Sequence, residues 1–269
     1  MTSMDVRARN NVQVVGNADG PSVVLAHGFG CDQNMWWRVT DLLSAEFQVV
    51  LFDHVGCGAS DISAWDQQRY GSLQAYAEDI LEVLAALDLR DAVFVGHSVA
   101  AMMGVLAVGA DAGRFRKLVL LTPSPRYIDD EGYRGGFARS DIDELLESLE
   151  DNYLGWSYAI APTIVGRPDR PDLSDELADS FCRTDPSVAR VFARTTFLSD
   201  NRSDLLRVSV PTLVIECAQD ALAPREVGAY VTAHIDGSEL VTLDTTGHCP
   251  QLSAPDITAE AIAAFARST

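Results

Sequence analysis

Runs of β-branched and apolar residues at 12–15, 22–26, 48–52, 92–95, 117–121, 212–216 and 239–243 predict seven strands. The last five are mostly apolar on both faces, the pattern expected of a parallel sheet covered by helices on each side. Between them, periodic patterns predict helices over 35–43, 73–87, 99–107, 225–233 and 257–266. The clearest is 73–87. There Leu73, Tyr76, Ile80, Val83, Leu84 and Leu87 form one apolar stripe, with Glu78, Asp79 and Glu82 mostly off it. Such alternation of strand and helix predicts an α/β fold with a mostly parallel, doubly wound sheet.

One segment breaks the alternation. Residues 124–204 contain no convincing strand and read as helices punctuated by Pro168, Pro171 and Pro186. Within it, 141–150 has the pattern of an amphipathic helix with a solvated acidic face. Strand character resumes after Pro211. The expected organisation is a core of 1–123 and 205–269 with a helical lid inserted at 124–204.

Composition narrows the function classes. The 269 residues are 47% hydrophobic, enough for a large core, and carry 39 Asp/Glu against 20 Lys/Arg, a formal charge of −19. Such a chain repels phosphate backbones and anionic membrane surfaces, so nucleic-acid and membrane partners are not expected. The acidic excess is spread: the helical segment holds 17 acids and 9 Arg. Of the bases only Lys117 is a lysine. Five cysteines, Cys31, Cys57, Cys182, Cys217 and Cys249, include no C-x-x-C pair, and reduced thiols in a cytoplasm are expected. The first 20 residues lack the apolar core of a secretory signal. The longest uncharged stretch, 92–110, is interrupted by Gly96-His97-Ser98, so it reads as a buried strand turning into a buried helix.

That turn carries the strongest chemical signal. An apolar strand enters Gly96-His97-Ser98-Val99-Ala100 and leaves as an apolar helix. A nucleophile elbow needs small residues two positions either side of a strained Ser. Gly96 meets the requirement, and Ala100 replaces the usual second Gly. An ordinary turn with a Ser N-cap would share these letters, so the partners matter. A Ser hydroxyl needs a base, and the base needs an orienting acid.

Among the five histidines, His27 and His54 lie in early loops, His97 adjoins the Ser with its side chain expected to point away, and His234 ends a helix. His248, in the loop after the last strand, is the best base. Asp220, in the loop after strand 212–216, is the best acid; Glu216 and Asp244 are rivals. The order Ser98, Asp220, His248 is that of α/β-hydrolase triads. Two N–H donors for an oxyanion are expected from Val99 and from Phe29 in the loop His27-Gly28-Phe29-Gly30. The Gly-rich turn 53–61 reads as structural.

These motifs, with Ser124-Pro125-Arg126-Tyr127, Asn152-Tyr153-Leu154-Gly155-Trp156, Arg183-Thr184-Asp185-Pro186, Phe197-Leu198-Ser199-Asp200 and Gly247-His248-Cys249-Pro250-Gln251, carry a resemblance over nearly the whole chain. The chain resembles α/β-hydrolases of the group containing the bacterial sigma-B regulator RsbQ and the plant strigolactone and karrikin receptors. The RsbQ branch looks nearest. The resemblance implies a triad of Ser98, Asp220 and His248, an oxyanion hole at Phe29 and Val99, a four-helix V-shaped lid, and an apolar pocket that includes Phe29, His97, Trp156 and Phe197. It implies hydrolysis of a small hydrophobic ester or lactone without cofactor or metal. It also implies a signalling alternative, with a PAS-domain phosphatase as partner. A metabolic enol-lactone or C–C bond hydrolase is a third expectation.

Overall fold

The computed structural model describes residues 5–268. Seven strands, β1 (Gln13–Gly16), β2 (Ser22–Ala26), β3 (Gln48–Leu51), β4 (Ala92–His97), β5 (Phe115–Leu121), β6 (Thr212–Gln219) and β7 (Glu239–Thr246), form one sheet. Its order is β1-β3-β2-β4-β5-β6-β7. All neighbours are parallel except β1, which lies antiparallel to β3. The helices are α1 (Val6–Arg9), α2 (Trp37–Leu43), α3 (Leu73–Ala86), α4 (Val99–Ala110), α5 (Arg139–Asp151), α6 (Tyr153–Val165), α7 (Pro171–Arg183), α8 (Pro186–Phe197), α9 (Arg225–His234), α10 (Pro250–Ser253) and α11 (Pro255–Arg267). Both α10 and α11 begin with a proline at the first helical position, where no N–H partner is lost.

Side chains alternate across the central strands and feed two cores. Val23, Leu25, Val93, Val95, Val119 and Ile215 pack with α2 and α11 on one face. Val24, Ala26, Phe94, Leu118 and Leu120 pack with α3 and α4 on the other. With β2, β4, β5 and β6 covered on both faces, the continuous apolar runs seen in the sequence follow directly. The strand β7 departs from this expectation. Glu239, Leu240, Val241 and Thr242 are exposed and Leu243 alone in that stretch is buried, because β7 is the sheet's edge. Its apolar letters reflect β propensity rather than burial.

Asp79 on α3 is a second departure. It lies off the apolar stripe read in the sequence, yet it is fully buried. Its carboxylate meets Arg9 at 3.2 Å, Arg69 at 2.9 Å and the Tyr70 hydroxyl at 2.8 Å. Burial raises its pKa, against the pull of Arg9, Tyr70 and Arg69. Burying a carboxylate is tolerable only with such partners.

Between β5 and β6 the chain forms α5 to α8, which stand over the C-terminal ends of the strands. Ile142, Leu146 and Leu149 of α5 turn inward, while most of its acids face solvent. Ion pairs fasten α7 to the core: Arg38 grips Glu176 through two bonds of 2.8 and 2.9 Å, and Arg183 meets buried Asp32 at 2.9 Å. No helix among the described residues is long and apolar enough to cross a membrane.

Removing one member of a buried charge cluster strands the others. Asp79→Ala is expected to lower the unfolding free energy by about 3 kcal/mol, read from urea denaturation. An unchanged midpoint would show that the cluster contributes nothing.

Candidate active site

The segments that follow β2, β4, β5, β6 and β7 converge beneath the inserted helices, where ligands of open α/β sheets bind. Ser98 leaves β4 with φ 57° and ψ −123°, outside the comfortable region for a residue bearing Cβ. Its N–H donates to Leu121 O at 2.9 Å, and α4 begins at the next residue. The turn closes so tightly that a Cβ on Gly96 would lie 2.4 Å from the Ala100 carbonyl oxygen. Gly28 is equally constrained; a Cβ there would come within 2.8 Å of His97 Nδ1 and 3.2 Å of Ser98 Cβ.

His248 follows β7, and Asp220 follows β6. The Asp220 Oδ1 accepts the N–H groups of Leu222 at 2.8 Å and Ala223 at 3.1 Å, which leaves Oδ2 aimed at His248 Nδ1, 2.8 Å away. A carboxylate can only accept there, so Nδ1 carries the proton and Nε2 is free to accept. Ser98 Oγ lies 2.8 Å from Nε2. The structure thus brings Ser98, His248 and Asp220 into one hydrogen-bonded line. Neither rival acid joins it. Glu216 is buried on β6, bound through Oε1 by Arg225 and Thr242, and Asp244 points to solvent.

The His248 loop is held from several sides. Its backbone N–H donates to Ile164 O of α6 at 2.7 Å, and its carbonyl accepts from His97 Nε2 at 2.9 Å and Thr122 Oγ1 at 3.1 Å. Gly247 has φ 95°, and a Cβ on it would sit 2.0 Å from Val165 O. His97 therefore borders the site, but its ring props the base loop rather than facing Ser98. Burial, helped by nearby His248, drops its pKa to about 3, so it is a neutral donor. Below it, the His54 N–H donates to His27 Nε2 at 3.1 Å and the His54 ring bonds His27 O at 2.9 Å. Burial lowers the pKa of both. The turn after β3 is structural as well: Asp53 accepts from the N–H groups of Gln33 and Ala59 and from Asn11.

The backbone N–H groups of Phe29 and Val99 bond no other protein group among the described residues. The Phe29 ring meets Trp156, Phe181, Phe192 and Phe197 at centroid distances of 5.5 to 6.2 Å. Phe29, Trp156, Phe181 and Phe197, with Phe192 packed behind them, wall an enclosed cavity of about 30 Å³ that reaches Ser98 and His248. A far larger groove, about 830 Å³, runs past Gln219, Asp220 and Arg225 on the outer surface. It does not reach Ser98, so the small cavity is where the reactive atoms are accessible.

Sequence reasoning did not assign a role to Tyr127, whose hydroxyl lies 3.3 Å from Ser98 Oγ. Burial raises its pKa and keeps it protonated. Its place just beyond β5 was the available signal. Phe181, Thr196, Cys31 and Cys249 also border the cavity. Nothing in a helical stripe separates such residues from ordinary core. The cavity thiols are pushed up by burial, hence inert. Among the described residues, no cluster of His, Cys, Asp and Glu could hold a metal ion.

Residues 23–261 match the model of the alpha/beta hydrolase family. A strigolactone esterase of Arabidopsis thaliana is 38% identical over 256 residues, 95% of each chain. A karrikin insensitive 2 receptor of Petunia hybrida is 37% identical over 257 residues, covering 94% of this chain and 93% of its own. The solved structure of a hydrolase from Oleispira antarctica superposes with a TM-score of 0.95 at 39% identity, covering 98% and 97% of the two chains.

The neutral buried histidines set a pH dependence. With a native pKa near 3 against the ordinary 6.5, His97 refuses a proton that the unfolded chain accepts. Stability is complete above pH 6.5 and falls as pH drops toward 3, by about 1.4 kcal/mol per unit for this group alone. His27 and His54 act in the same direction. Urea midpoints measured from pH 7 to pH 4.5 are expected to fall steadily; a flat profile would contradict three neutral imidazoles.

Proposed function

The chain belongs to the alpha/beta hydrolase family, and from that footing we propose that it hydrolyses a small, hydrophobic, uncharged ester or lactone, with Ser98 as nucleophile. The observation that carries this reading is the line Asp220–His248–Ser98, with both bonds at 2.8 Å, opening into an apolar cavity. In the acylation step Ser98 Oγ bonds the carbonyl carbon while His248 Nε2 takes its proton. The carbonyl π electrons move to oxygen, and the Phe29 and Val99 N–H groups receive that negative charge. Asp220, already held by two N–H donors, stabilises the imidazolium. On collapse the C–O bond to the leaving alkoxide breaks and His248 returns the proton to it. Water then attacks the acyl-Ser98 by the same route in reverse. The protonated Tyr127 hydroxyl, beside Ser98 Oγ, is placed to donate to the leaving oxygen.

The helices α5 to α8 act as the lid in this reading. A cavity of about 30 Å³ is far below the roughly 300–1,000 Å³ of ordinary ligand pockets. Substrate therefore enters as the lid helices part and the aromatic walls repack. That enclosure also favours the second reading, a receptor-like role in which lid movement on ligand binding is reported to a partner. A relative of this chain is named a karrikin receptor. An RsbQ-like stress-signalling role with a PAS-domain phosphatase would use the same site, and the acidic lid surface would suit a basic partner face. Five free cysteines suit a cytoplasmic location.

Hydrolysis of p-nitrophenyl butyrate by the purified protein tests the reading. Ser98→Ala is expected to reduce kcat by on the order of 10⁴-fold or more, with the melting temperature retained. Turnover surviving in Ser98→Ala, or absent from a folded wild type, would sink it.

A further inference from the structure

The last turn of α8 carries two adjacent threonines that behave differently. The Thr195 hydroxyl bonds back to Val191 O at 2.9 Å, the usual way a helical Thr satisfies itself. Thr196 does not. Its Oγ1 is buried, the residue is 1% exposed, and no protein group among the described residues bonds it. Its carbonyl, by contrast, accepts from Ser199. Thr196 lines the same enclosed cavity as Ser98 and His248.

The other polar side chains there are engaged. Ser98 and His248 bond each other, and Tyr127 faces Ser98. His97 has an orphan Nδ1, but that atom lies against the Gly28 backbone. Thr196 thus combines a buried hydroxyl without a partner with a place in a wall of aromatic rings, beside Phe197. Folding does not explain it. Valine has nearly the same shape and leaves no buried donor unpaired, so stability alone would favour valine.

We propose that Thr196 is a specificity-determining residue that donates a hydrogen bond to a second oxygen of the substrate, remote from the scissile carbonyl. The substrate class is then an ester or lactone bearing an additional ether or carbonyl oxygen, rather than a plain alkyl ester. This rests on the hydrolase reading above. A site built to bond a substrate oxygen discriminates against the analogue that lacks it, because its own group is left unpaired.

The test compares isosteric esters in which one oxygen replaces one methylene. On the acyl side, p-nitrophenyl methoxyacetate is paired with p-nitrophenyl butyrate. On the alcohol side, 2-methoxyethyl acetate is paired with butyl acetate. The readout is the change in kcat/KM from wild type to Thr196→Val, taken as a ratio within each pair so that intrinsic reactivity cancels. In at least one pair the oxygenated ester is expected to lose about tenfold more than its partner, with Thr196→Ser keeping the wild-type ratio. The melting temperature of Thr196→Val is expected to hold or rise. Equal losses within both pairs, or a Thr196→Ser ratio like that of Val, would overturn the assignment. Wild type turning over none of the four esters would instead overturn the hydrolase reading, and this inference with it.

Discussion

Everything at the site depends on how tightly the chain turns between β4 and α4. Ser98 is held at positive φ because the strand must end and the helix begin within one residue. Backbone strain of this kind costs on the order of 1–3 kcal/mol and persists only where the surroundings over-determine it. Here they do: α4 is buried along most of its length, Ser98 N–H is tied to β5, and Gly96 and Gly28 leave no room for a Cβ. The reward is geometric. The hydroxyl stands clear of the sheet, and the helix's free N–H groups begin at the following residue, where a developing oxyanion would need them.

The inserted helices do more than cover this turn. The base loop is bonded to the end of α6 through His248 N–H to Ile164 O and Thr246 Oγ1 to Gly166 O. On the other side, Arg183 and Glu176 of α7 are fastened to Asp32 and Arg38 next to the Phe29 loop. The loops that carry His248 and Phe29 are thus both tied to the inserted helices. In the lid reading proposed above, that coupling is a physical route by which occupancy of the cavity and shape of the lid surface bias each other.

Much of this was legible in the chain. The seven strands and the main core helices follow from hydrophobic period, with shifts of only a few residues at their ends. The elbow was legible because steric crowding forces Gly at 96 and a small residue at 100. The loop positions of Asp220 and His248 were legible because each follows a strand in an order that few folds use. Where reading failed, the cause is specific. The strand β7 has β-branched letters but lies at an edge, and Asp79 looks like a solvent-facing acid until Arg9, Arg69 and Tyr70 arrive from elsewhere. Tyr127 and Thr196 look like a loop residue and a helix filler.

By itself, then, the sequence determined the α/β architecture, the tight turn at Ser98 and the loop position of His248, since these rest on local period and local sterics. Tertiary structure alone decided that Glu216 and Asp244 stay out of reach of His248, that the His97 ring holds the His248 carbonyl, and that Thr196 in the cavity wall carries a hydroxyl without a partner. Those outcomes depend on contacts across as many as 151 positions of chain, and on whether a buried polar atom finds a partner. Neither is encoded in any single stretch; both are settled only when separate strand ends and inserted helices meet in one low-dielectric space.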